Sequence, residues 1–127
     1  MAIVSISLND NILSEIDRIQ TDEGYSGRSE VIRAAVRDMI SQNKTLDNLN
    51  GIVEGVIIVV NDERHNESIS DIRHSYSEII RTQIHNHLES HKCLQIFVIH
   101  GNASKVSKLV KELKASGKTE YTKLYVS

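Results

Sequence analysis

The chain reads as α+β in two parts: a strand and two helices in residues 1–45, then a β-α-β-β-α-β segment in residues 52–127. Three observations predict this. Ile3-Val4-Ser5-Ile6-Ser7-Leu8 alternates with period two, the mark of a strand with two unlike faces. Two segments with apolar residues at helical spacing follow it. From Ile52 onward, runs with strand character and runs with helical character succeed one another in the order of a ferredoxin-like domain.

The bulk composition suits a soluble protein with an aliphatic core. Of the 127 residues, 39% are hydrophobic and 25% charged, while aromatics make up only 4%. The single cysteine excludes an internal disulfide and, with no signal-like start, suits a reducing cytoplasm. The longest apolar run, Val56 to Val60, is far too short to span a membrane. Net charge is −2, with 5 Lys+Arg against 8 Asp+Glu in residues 1–50 and 10 against 9 in residues 51–127. Nucleic-acid binding therefore needs a local patch rather than a global field.

In the first strand Val4, Ile6 and Leu8 face one way, and Ile3, Ser5 and Ser7 the other. Asn9 or Asp10 can cap the next helix, whose apolar face is Ile12, Leu13, Ile16 and Ile19. Gly24 ends it. Ser29 is placed to cap a second helix with Glu30 in its first turn, and Ile32, Ala35, Val36, Met39 and Ile40 form its apolar face. A lone strand cannot satisfy its own edges. The simplest partner is the same strand of a second copy, which makes a two-fold dimer. The resulting two-stranded ribbon would show Ser5 and Ser7 on its exposed face, and such a ribbon fits the major groove. Arg28 and Ser29 lie at a helix N-terminus, a natural phosphate site. Arg33 and Arg37 follow one turn apart on a polar face.

Residues 41–51 are polar and weakly patterned, and read as a linker. Ile52 to Val60 is almost continuously apolar, as a central strand should be. Asn61 to Asn66 reads as a loop. A helix follows, with Ile69, Ile72, Tyr76, Ile79 and Ile80 on one side. His74 points nearly opposite to that face, toward solvent or another subunit. Leu94 to Ile99 is a strand, His100-Gly101-Asn102 a turn, and Ala103, Val106, Leu109, Val110 and Leu113 line one face of a last helix. Tyr121 to Val126 closes the sheet.

Between the two central parts lies the stretch that holds the only cysteine and three of the six histidines, Ile84 to Ile96. His85 and His87 leave the same face of one strand. If the hairpin is symmetric about residue 90, His87 sits opposite Cys93 and His85 opposite Gln95. Two imidazoles and a thiol then share one sheet face, and these are strong ligands for late first-row metals. A fourth ligand is missing locally; Gln95, Glu89 and His74 of an adjacent subunit are the candidates. Ligation needs thiolate and neutral imidazole, so metal affinity should weaken in acid. No nucleophile, base and oxyanion set is present, so no enzymatic activity is expected.

The order strand, helix, Gly24-Tyr25-Ser26-Gly27-Arg28-Ser29-Glu30-Val31-Ile32-Arg33, helix resembles the ribbon-helix-helix repressors, and in detail the nickel-responsive regulators of the NikR type. The C-terminal half resembles the ACT-like domain of the same family through Gly55-Val56-Ile57-Ile58-Val59, Asp71-Ile72-Arg73-His74, His85-x-His87-Leu88, His91-x-Cys93-Leu94 and His100-Gly101-Asn102. The resemblance implies one Ni(II) held in a plane by His85, His87 and Cys93 of one subunit and His74 of its neighbour. It also implies a homotetramer, a dimer of dimers, that binds a DNA operator through Ser5, Ser7, Arg28, Ser29 and Arg33 and represses metal-uptake genes when metal is bound. Cu(II), Co(II) or Zn(II) are alternative metals. A small organic effector, or metal buffering without DNA binding, are alternative functions. Ile3 stands where such relatives often carry a basic residue, and Gln95 where they usually carry glutamate.

Overall fold

A computed structural model describes residues 1–127, which divide into two compact units, Met1–Thr45 and Leu46–Ser127. In the first unit, residues 1–9 form neither helix nor strand within one chain. Their period-two pattern has no ladder partner here. Helix α1, Asp10–Glu23, starts at Asn9, whose side chain accepts the Ile12 N–H at 2.8 Å. It stops at Gly24, which takes a left-handed conformation with φ 75° and returns its N–H to the Gln20 carbonyl.

Helix α2, Arg28–Asp47, differs from expectation at both ends. The Gly27 carbonyl accepts the N–H groups of Glu30 and Val31, so Ser29 lies inside the first turn and is not the cap. At the other end the expected linker is helical as far as Asp47. Leu46 is buried in the core of the second unit and Leu49 packs against it, which gives these polar-looking residues a reason to stay ordered. Val31 is the one buried residue of the first unit. Ile3, Val4, Ile6, Ile12, Val36, Met39 and Ile40 are exposed. This unit therefore buries almost no apolar surface by itself.

The second unit runs β1 (Ile52–Asp62), a 3₁₀ turn (Glu63–His65), α3 (Asn66–His74), β2 (Ile80–His87), β3 (Lys92–Asn102), α4 (Ala103–Ala115) and β4 (Tyr121–Val126). The strands make one antiparallel sheet in the order β2-β3-β1-β4. This is the ferredoxin-like arrangement the periodicity predicted. Val53, Ile57, Val59, Phe97 and Ile99 point from the sheet into a core completed by Ile69 of α3 and by Val106, Leu109, Val110 and Leu113 of α4. Each such fully buried side chain stabilises the fold by roughly 1.5–3 kcal/mol before entropy is counted. The opposite sheet face carries Val56, Ile58, Val60, Leu94, Ile96 and Val98, all half-buried.

Three boundaries correct the sequence reading. Asn61 and Asp62 belong to β1, and helix α3 already begins at Asn66. That helix ends at His74, so Tyr76, Ile79 and Ile80 are not on its face. Ile79 lies in the following turn, fully packed, with its carbonyl taking the His100 N–H at 2.9 Å. Gly101 makes this possible, because a side chain there would collide with Ile79. Ile80 then starts β2 opposite Ile99. Finally, His100, Gly101 and Asn102 continue β3 instead of turning, since they pair with Glu54, Val53 and Ile52. Asn102 caps α4 by accepting the Ser104 N–H at 2.8 Å.

Candidate metal centre and DNA-contacting residues

The β2–β3 hairpin turns through Ser90 and His91, both with positive φ (62° and 61°). Two consecutive left-handed residues match the right-handed twist of a hairpin. The turn closes with the Leu88 N–H on the Lys92 carbonyl at 2.7 Å. The His91 ring also lies 3.0 Å from a Glu63 carboxylate oxygen, which ties the turn to the segment before α3. This geometry sets the register: His87 pairs with Cys93 and His85 with Gln95, as a turn symmetric about residue 90 requires.

All three side chains therefore leave the sheet on the side that carries α3 and α4. Their ligand atoms lie within 4.8 Å of one another. Cys93 Sγ is 3.5 Å from His87 Nδ1, and the two imidazole centroids are 5.2 Å apart. Two donors on one ion at about 2.0–2.3 Å each can be no more than about 4.6 Å apart. Small side-chain rotations close the remaining gap, so the trio fits a single late first-row ion in both donor chemistry and spacing. Burial is uneven. Cys93 is fully buried on a central strand, whereas His85 and His87 are exposed because β2 is the edge of the sheet. The thiol is thus the rigid anchor, and the imidazoles form its open side.

His74 is the last residue of α3, exposed, and outside this cluster within one chain. Its Nε2 lies 3.4 Å from the Arg73 guanidinium. Gln95, one of the local candidates for a fourth ligand, is buried and spoken for: its Nε2 donates to Asn61 at 2.9 Å and its Oε1 accepts from Gln83 at 3.2 Å. Asn66 was missed by sequence reasoning. Its amide donates to Cys93 Sγ at 3.4 Å from 27 residues away. No local pattern signals it, because a single asparagine at the end of a polar run reads only as loop.

Of the candidate DNA contacts, Ser5, Ser7 and Ser29 are exposed. Arg28 forks onto Asp17 with contacts of 2.8 and 2.9 Å, joining the start of α2 to α1. That hydrogen bonding holds the Asp17 carboxyl below its usual range. Arg33 and Arg37 both reach Glu30, at 3.1 and 2.7 Å, and Arg37 first and Arg33 second lower the Glu30 carboxyl. These cations are exposed but internally paired, so they are presented on a charge-balanced helix face.

A family model described as the NikR C terminal nickel binding domain matches residues 54–127. The chain belongs to the NikR family. A second model, ribbon-helix-helix protein of the copG family, matches residues 2–42. NikR relatives similar over nearly the whole length include proteins named "Putative nickel-responsive regulator" from Methanocaldococcus jannaschii, 36% identical, and Methanococcus maripaludis, 33% identical. Each comparison covers 97% of this chain and 89% of the relative. The uncharacterized protein TM1266 from Thermotoga maritima shares the fold over 60% of this chain and 98% of its own, with a TM-score of 0.55 at 13% identity. Membership of the NikR family makes this chain a regulator rather than an enzyme, with a ribbon-helix-helix segment joined to a nickel-binding domain. No helix is long and apolar enough to cross a membrane.

Proposed function

We propose that this chain is a nickel-dependent repressor of metal-uptake genes that acts as a dimer of dimers. The observation that carries the reading is the convergence of His85, His87 and Cys93 at spacing suited to one ion. The trio is one ligand short of a planar site, and His74 supplies the fourth from a neighbouring subunit. Bound nickel then supplies a cross-link between subunits, favouring the quaternary arrangement that completes the site. The bias it exerts is limited by the difference in its affinity for the two arrangements.

The first unit supports the other half of the reading. Its apolar residues are exposed in a single chain, and pairing residues 3–8 with the same strand of a second copy would bury them. That pairing makes a ribbon carrying Ser5 and Ser7 outward, with Arg28, Ser29 and Arg33 beside it for the phosphates. Two such ribbons, one per dimer, would grip two half-sites of an operator.

A DNA footprint on the chain's own promoter region, with and without Ni(II), tests this. Nickel-dependent protection of two half-sites is expected. Stoichiometric nickel binding with no protected site would instead indicate a metal buffer, a reading favoured by the pairing of Arg28, Arg33 and Arg37 with acidic residues. Failure to bind Ni(II), Cu(II), Co(II) or Zn(II) stoichiometrically would sink both.

A further inference from the structure

Five side chains run through the floor of the metal corner, and each passes an N–H to the next. Gln83 Nε2 donates to Gln95 Oε1 at 3.2 Å, and Gln95 Nε2 to Asn61 Oδ1 at 2.9 Å. Asn61 Nδ2 donates to Asn66 Oδ1 at 2.8 Å, and Asn66 Nδ2 to Cys93 Sγ at 3.4 Å. Asn61, Gln95 and Cys93 are buried to within 2% of completely. Buried amides are retained only where their hydrogen bonds are made.

An amide can be turned over without changing its shape, so its direction must come from its partners. Here the main chain decides. Asn61 Nδ2 also donates to the Asp62 carbonyl at 2.8 Å. Turning Asn61 over would press two oxygens together at that point. With Asn61 held this way, its Oδ1 faces residue 95, which must therefore donate. Its second N–H faces Asn66, whose oxygen must accept. The Asn66 N–H is then left for the sulfur.

We infer that Gln95, Asn61 and Asn66 form a directed positioning chain that holds an N–H donor on Cys93 Sγ and thereby sets how strongly the sulfur binds a metal. This rests on the reading of Cys93 as a ligand. The N–H draws charge from the sulfur and fixes its rotamer, the usual work of groups behind a ligand. It also explains why an amide at position 95 is compatible with this site. An ionised glutamate there could only accept. The charged oxygen would outweigh the neutral Asp62 carbonyl, so Asn61 would give up that bond and turn, Asn66 would follow, and an oxygen would replace the N–H against the sulfur. A substitution three hydrogen bonds away would reverse the dipole at Sγ.

The test uses the full chain titrated with Ni(II), reading affinity by chelator competition and the sulfur-to-nickel charge-transfer band. Asn66→Ala should weaken nickel binding about tenfold and move the band to longer wavelength, because the sulfur electrons lose a stabilising donor. Gln95→Glu should move the band the same way, and should add nothing in an Asn66→Ala background. An unchanged band and affinity in Asn66→Ala, or a Gln95→Glu shift that persists without Asn66, overturns the inference. Wild-type protein that shows no thiolate band at all overturns the ligand reading itself. Should either variant fail to fold, wild-type protein loaded with NMR-active cadmium gives the answer. Scalar coupling between the metal and the Asn66 side-chain amide proton is expected, and its absence overturns the proposal.

Discussion

His87 and Cys93 face each other directly across the β2–β3 pair, with Sγ 3.5 Å from Nδ1, although one is exposed and the other fully buried. As candidate ligands they make a pair with one fixed member and one that can adjust. Substituting either should remove the site. Cys93→Ala and His87→Ala are each expected to weaken nickel binding by more than about 100-fold, beyond the loss typical for a residue behind the ligands. The proposed subunit-bridging role of His74 has a sharper test. His74→Ala and Cys93→Ala proteins should each fail to bind, yet a mixed oligomer of the two should recover part of the sites. Mixtures as inactive as the separate proteins would place the fourth ligand elsewhere.

The Arg28–Asp17 pair sets a competition between internal pairing and phosphate contact. If Arg28 meets a phosphate, Arg28→Ala should weaken operator binding uniformly and reduce the salt slope by about 1. Asp17→Asn, which frees the guanidinium, should strengthen it. The same pair predicts a direction with pH. The Asp17 carboxyl is lowered by Arg28 in the folded state, so its stabilising contribution is present above its unfolded pKa and is lost as pH falls through the folded value. Acid unfolding of Asp17→Asn should accordingly be less steep than that of the wild type.

Tyr76 donates its hydroxyl to Glu112 at 2.7 Å, which ties the turn after α3 to α4. That bond, with some burial, pushes the phenol up to about 12. A raised folded pKa means stability fully present below the unfolded value and lost as pH rises through the folded one. Tyr76→Phe should cost about 1 kcal/mol near neutrality. Subtracting its alkaline absorbance titration from that of the wild type should leave one phenol ionising near 12.

Gly101 gives room to Ile79 at the point where β2 leaves the turn. Gly101→Ala should destabilise the second unit by about 1–3 kcal/mol through overpacking. A lowered urea midpoint with an unchanged slope checks this. Wild-type stability in that variant would mean the turn relaxes freely.

Much of the fold was legible from local patterns. Apolar runs bounded by polar turns located all four sheet strands, and the turn-centred symmetry of the hairpin was enough to pair His87 with Cys93 and His85 with Gln95. The errors share one cause. Helix α3 was extended through Ile80 because Ile79 and Ile80 continue the helical spacing of Ile69 and Ile72. The sheet claimed them instead, through Ile99, His100 and the space left by Gly101. Residues 41–47 looked like a linker because the anchoring side chain, Leu46, is a single leucine in a polar run.

By itself the sequence determined the order of elements from β1 to β4 and the pairing of His87 with Cys93 and His85 with Gln95 across one turn, because each depends on contacts between residues close in the chain. Only the tertiary structure decided which candidate ligand is buried, and that Asn66 reaches the sulfur from 27 residues away. Those depend on β3 lying between β2 and β1. That placement packs Cys93 beside Asn61 and leaves His85 and His87 on an open edge, a distinction no local periodicity carries.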